Sequence, residues 1–150
     1  MGGNPVNYVD PLGLQTTVII TYDYGIGSHA AVHTSNGNNG GSFLYDPAGS
    51  YQPSGGVRGT GDFFEGGSAS LSDYIKYQES TGSTVDTHVL NTTERQEQAI
   101  VDRAIDLGGV APFLCSAAVS SALGGVCGEK GSPFPGSLGE NINDASSICK

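Results

Sequence analysis

Six residues that favour turning, Asn36-Gly37-Asn38-Asn39-Gly40-Gly41, separate two runs that favour extension. Residues 28–34 (SHAAVHT) precede them and residues 42–45 (SFLY) follow. Asn and Gly tolerate the positive φ that short hairpin connections demand. The arrangement predicts a β-hairpin over 28–45, stopped by Asp46-Pro47 because proline cannot donate to a ladder. Upstream, residues 16–22 (TTVIITY) are rich in β-branched side chains and read as another strand, broken by Gly25-Ile26-Gly27. A chain that starts this way builds an antiparallel sheet first and covers it afterwards.

The cover is legible further on. Residues 71–79 carry Leu71, Tyr74, Ile75 and Gln78 at helical spacing. Residues 84–90 (TVDTHVL) alternate and read as a strand. Thr93-x-x-Gln96 is a capping-box pattern, Ile100, Ala104 and Leu107 form a stripe behind it, and Gly108-Gly109 end it. Residues 110–123 (VAPFLCSAAVSSAL) predict a small-residue helix with Pro112 near its start and Gly124-Gly125 at its end. Residues 47–67 read as a Gly/Pro/Ser-rich loop holding an exposed-looking Phe63-Phe64 pair, and residues 127–150 as a tail without pattern. The order of elements predicts an α+β plan.

A length of 150 residues fits one domain. With 24 Gly, 37% hydrophobic residues and no Trp, long loops around a small core are expected. No apolar run reaches the length of a membrane-spanning helix, and the start lacks the pattern of a signal peptide. The net charge is −9, and the six cations, Arg58, Lys76, Arg95, Arg103, Lys130 and Lys150, are scattered. That argues against nucleic-acid binding, which needs clustered cations on phosphates. It also gives no attraction to anionic membranes. The three cysteines leave at least one unpaired within the chain. Cys127 and Cys149 are free to pair in an oxidising compartment, with Cys115 the odd one out. No zinc-type spacing exists, so neither metal nor cofactor is expected.

Cys115 is the candidate nucleophile. A thiolate is the reactive form, and a helix N-terminus favours it. The plainer alternative is a buried, inert cysteine. His29 and His33, four apart on a predicted strand, share a face and offer a base for a thiol; the alternatives are a solvated polar face or, less fittingly on a strand, a metal pair. Asp46 follows the return strand and can reach an imidazole, although Asp before Pro is also a common turn residue. Tyr45, Ser28 and Asn91 are weaker orienting candidates. His88 lies on a separate strand.

Two resemblances add context. Asn4-Pro5-Val6-Asn7-Tyr8-Val9-Asp10-Pro11-Leu12-Gly13-Leu14 resembles, without a gap, the DPxGL end of the core of an Rhs-repeat protein. That resemblance implies a cut between Leu14 and Gln15, a core remnant over 1–14 and a toxin domain over 15–150. It further implies a parent Rhs shell before cleavage and delivery into a target bacterium, as by type VI secretion in interbacterial competition. A neutralising immunity protein is the implied partner. The toxin part resembles a circularly permuted papain-like NlpC/P60 domain, the branch that includes lecithin:retinol acyltransferase-like enzymes. The resemblance rests on a His hairpin (SHAAVHTSNGNNGGSFLYDP) that precedes a Cys helix (FLCSAAVSSAL). It implies a small antiparallel sheet packed on the Cys-bearing helix, with Cys115 and His29 catalytic and Asp46 as third group. His33 stands where the family has an aromatic, and Leu114 where the branch often has Asn. The implied activity is acyl transfer at the envelope, first as a phospholipase and alternatively as a peptidoglycan amidase or endopeptidase. Deamidation or transglutaminase-type chemistry is a further option on the same pair. A binding module with a merely packed cysteine is the alternative of another class.

Overall fold

The computed structural model describes residues 14–38, 40–53, 58 and 61–149. Residues 4–13 of the leading string and Asn39 of the expected turn lie outside them. The elements are β1 (Gln15–Asp23), β2 (Ile26–Asn38), β3 (Gly41–Tyr45), β4 (Phe63–Glu65), α1 (Leu71–Ser80), β5 (Thr84–Asn91), α2 (Glu94–Leu107), α3 (Cys115–Leu123) and α4 (Pro135–Ala145). The strands form one sheet in the order β4-β3-β2-β1-β5, each neighbouring pair antiparallel. The class is α+β, and the expected hairpin is β2 paired with β3, with Val32 opposite Tyr45.

Strand β1 is apolar on both faces because both are covered. On one face Val18 and Ile20, with Ala30, Val32, Phe43 and Tyr45, pack against Ile100 of α2, Val119 of α3 and Leu138 of α4. On the other, Ile19, Ala31 and Leu44 meet Tyr51, Phe64, Ala69 and Tyr74. The capping box is made: Thr93 Oγ1 accepts from the Gln96 amide at 3.1 Å, and Gln96 Oε1 accepts from the Thr93 amide at 2.8 Å. Further along α2, the Arg103 guanidinium donates to the Ala122 and Leu123 carbonyls at 2.7 and 2.9 Å. A cation on the last carbonyls satisfies orphan acceptors and opposes the helix dipole, so α2 fixes where α3 ends.

Three expectations are corrected. Phe63 and Phe64 are not an exposed loop pair; they form β4, with Phe64 buried and Phe63 stacked on Phe43 at 5.5 Å between ring centres. The helix expected over 110–123 begins only at Cys115. Pro112 disfavours helical geometry in the residue before it, and Phe113 has φ +76, which no right-handed helix accepts. The tail is not patternless. Pro135 opens α4 at a position where its missing N–H costs nothing, and Leu138, Ile142 and Ala145 form its buried stripe.

Cys127 and Cys149 form a disulfide that ties the end of α4 to the Val126–Gly128 turn after α3, and Cys115 is free. Closing a loop of 22 residues restricts the unfolded chain by about 3 kcal/mol. Reduction, or Cys149→Ser, should lower the unfolding free energy by roughly that amount in urea melts. An unchanged midpoint with the bond broken would count against a stabilising role.

Candidate active site

Strand β3 ends at Tyr45 because Asp46-Pro47 cannot continue the ladder. Strand β2 is longer, so His29, Ala30 and Ala31 pair with β1 and have no partner on β3. The start of α3 comes in here. Cys115 is the first residue of that helix, after Leu114 at the cap, and it is 5% exposed. Its sulfur hydrogen-bonds to the His29 ring and to the backbone amides of Ala30 and Ser116. His29 Nε2 lies 2.6 Å from Asp46 Oδ1, which leaves Nδ1 for the thiol.

Asp46 is fully buried and still richly bonded. Oδ1 accepts from His29 and from the Tyr74 hydroxyl at 2.8 Å. Oδ2 accepts from Arg58 Nη1 at 2.9 Å. The other guanidinium nitrogen, Nη2, donates to the Asp46 carbonyl and meets Asp62 Oδ1 at 3.1 Å. The carboxylate takes up the space beside Gly49, where any Cβ would collide with it. Burying a charge this deeply is tolerable only with such partners.

The charges reinforce one another along this chain. Burial alone would depress the His29 pKa, but the Asp46 and Cys115 contacts outweigh it and carry it up to about 10. Burial alone would raise Asp46, yet His29, Arg58 and Tyr74 hold it below the usual carboxylate range. Burial likewise opposes the Cys115 thiolate, but the His29 hydrogen bond and charge, with the Ala30 and Ser116 amides, bring its pKa down. The arrangement favours a thiolate–imidazolium pair steadied by an ionised carboxylate.

The other candidates singled out in the sequence form their bonds elsewhere. His33 is buried, hydrogen-bonds the Ala69 backbone, and is pushed down in pKa chiefly by that burial. The Tyr45 hydroxyl donates to the Gly108 carbonyl at 2.7 Å, and burial pushes the phenol up to about 12. Neither of these bonds joins the Cys115–His29–Asp46 chain. Ser28 Oγ donates to Asp23 Oδ2 at 2.8 Å, not to His29. Asn91 pairs with Gln15, at the far end of β1 from Thr21, the partner of His29. His88 Nδ1 meets Asn143 Oδ1 at 2.7 Å, against α4. At the expected processing boundary, Leu14 is buried and the Gln15 amide, opening β1, donates to Ser35 Oγ at 2.8 Å.

Arg58 and Tyr74 are site residues that sequence reasoning missed. Arg58 carried a signal as the only cation in a long acid-bearing loop. Tyr74 carried one as a polar-tipped aromatic on the inward stripe of α1. The chain matches no family model, and neither curated proteins nor solved structures give a match. The chemistry therefore rests on this geometry.

Because His29 lowers the Cys115 pKa, alkylation of Cys115 by iodoacetamide should reach its plateau at a lower pH than that of a free thiol. In His29→Ala, only the Ala30 and Ser116 amides are left to oppose burial, and the plateau should move to higher pH. Mass spectrometry of the Cys115 peptide against pH gives both curves. Identical curves would remove the ion pair.

Proposed function

We propose that this chain is a thiol hydrolase working through an acyl-enzyme, with Cys115 as nucleophile, His29 as acid and base, and Asp46 as the group that orients His29. One observation carries the reading: a low-pKa thiol on the first turn of a helix, bonded to an imidazole that a buried carboxylate holds from behind. A His-bearing hairpin ahead of a Cys-bearing helix is the order of a circularly permuted papain-like NlpC/P60 domain. The DPxGL-like string suits the toxin domain of an Rhs-repeat polymorphic toxin, with an immunity protein as its natural partner.

The Cys115 thiolate adds to the substrate carbonyl carbon, and the carbonyl electron pair moves to oxygen. Amides of the first α3 turn lack intrahelical acceptors, and those not engaged by the sulfur would stabilise that oxyanion. Collapse breaks the bond to the leaving group, which takes the proton from His29, and a thioester remains. Neutral His29 then takes a proton from water as the water attacks the thioester, and the thiolate leaves.

Phospholipid acyl esters are the first substrate class. The surroundings support it: Phe113 is 94% exposed and Leu114 48% exposed immediately before Cys115, and hydroxyl-bearing residues line the cavity beside His29. An apolar approach on one side and a polar one on the other suit an amphiphile. The polar cavity also suits a peptide amide, so wall amidase or endopeptidase activity is the second reading.

Cys115→Ala and His29→Ala should each reduce hydrolysis by at least about a thousandfold while circular dichroism stays unchanged. Fatty acid released from vesicles supports the lipid reading, and soluble muropeptides released from sacculi the amide one. Full toxicity in Cys115→Ala would falsify both.

A further inference from the structure

Beside His29 a cavity of about 360 Å³ opens between the β1–β2 turn, the segment after Pro47 and the end of α1. His29 forms part of its wall and Cys115 does not, so the cavity adjoins the reacting pair without containing the thiol. Ser28, Ser50, Gln78 and Ser83 supply hydroxyl and amide groups. The charged members of the wall are His29 and Asp23. His29 is committed to Asp46 and Cys115, whose negative charges balance it.

Asp23 is different. It is exposed, and each of its two oxygens is held by a serine of the cavity wall: Ser28 Oγ donates to Oδ2 at 2.8 Å, and Ser83 Oγ donates to Oδ1. These two hydroxyls, Ser83 first, hold its pKa below the usual carboxylate range. No lysine or arginine among the described residues pairs with it. Two serines from separate parts of the chain thus pre-orient an ionised carboxylate at the rim of a polar cavity that shares a wall with the catalytic imidazole. An anionic group is repelled here, by Asp23 and by a chain of net charge −9.

We propose that Asp23 and this cavity form the subsite for the polar end of the substrate, and that the group bound there is an ammonium. This deepens the acyl-hydrolase reading and rests on it. The ammonium sits on the acyl donor, near the scissile carbonyl, either as an ethanolamine headgroup or as a free amine on a peptide. In both cases the carboxylate sets which carbonyl reaches Cys115, and Asp23 is a specificity residue, not a catalytic one.

The test separates binding from turnover. Isotope-labelled Cys115→Ala protein is titrated by NMR with ethylamine, ethanol and acetate. Ethylamine alone should shift the amides of Asp23, Ser28 and Ser83; Asp23→Asn should weaken that binding about tenfold, and Asp23→Glu should retain most of it. With Cys115 intact, Asp23→Asn should raise KM about tenfold for phosphatidylethanolamine or for an alanyl anilide. It should leave kcat unchanged, and should not raise KM for phosphatidylglycerol or the N-acetylated anilide. Whichever ammonium substrate is turned over identifies the source. Equal binding of ethylamine and ethanol, or ethylamine binding that survives Asp23→Asn, overturns the subsite. Ethylamine binding that is lost in Asp23→Asn, in a protein that hydrolyses nothing, overturns the hydrolase reading and leaves the ammonium site standing.

Discussion

The Asp46 carboxylate is the interaction around which the site is organised. It is wholly buried, and three different parts of the chain supply its surroundings: His29 from β2, Arg58 and the side-chain-free Gly49 from the long loop, and Tyr74 from α1. Removing one partner leaves part of the desolvation of this buried charge without compensation. The same group that orients the imidazole also fastens the loop after β3 to the sheet. The alignment of the imidazole and local folding therefore cannot be separated at this residue.

The second constraint is the start of α3. Its position is fixed from both ends. Arg103 holds the C-terminal carbonyls, and Ser116 Oγ and Ser120 Oγ donate to the Ser132 carbonyl at 2.7 and 3.0 Å. The helix cannot slide toward Phe113, because that residue already has left-handed geometry. Cys115 is thus held at the helix mouth by restraints that do not involve the site itself. Where β3 departs, the Ala30 amide, instead of serving a neighbouring strand, serves the sulfur.

What was legible in the sequence was what local chemistry dictates. The Asn/Gly turn specified the β2–β3 hairpin, Thr93 and Gln96 specified where α2 begins, and the strand alternation put His29 on one face. The pairing of His29 with Asp46 followed from the hairpin, since both residues belong to its strands or their immediate end. The α3 boundary lies later than the sequence predicts because apolar residues continue upstream of Cys115, while Pro112 and the positive φ of Phe113 keep the helix from starting before it. Helix α4 was hidden by Gly, Ser and Asn between its apolar positions, although Leu138, Ile142 and Ala145 keep helical spacing. Arg58 and Tyr74 were not legible as partners because nothing local brings a loop cation and a helix phenol to one carboxylate. Tertiary packing does that.

The thiol and its imidazole lie far apart in the chain, with three strands and two helices threaded between them. Contacts of such long sequence separation are closed late, after the loop entropy has been overcome. An unfolded or half-folded chain then holds an ordinary cysteine and an ordinary histidine, each with the reactivity of the free amino acid. Reactivity arrives as a property of the finished topology, so a carrier that kept this chain extended would keep it chemically silent without covering the thiol or the imidazole.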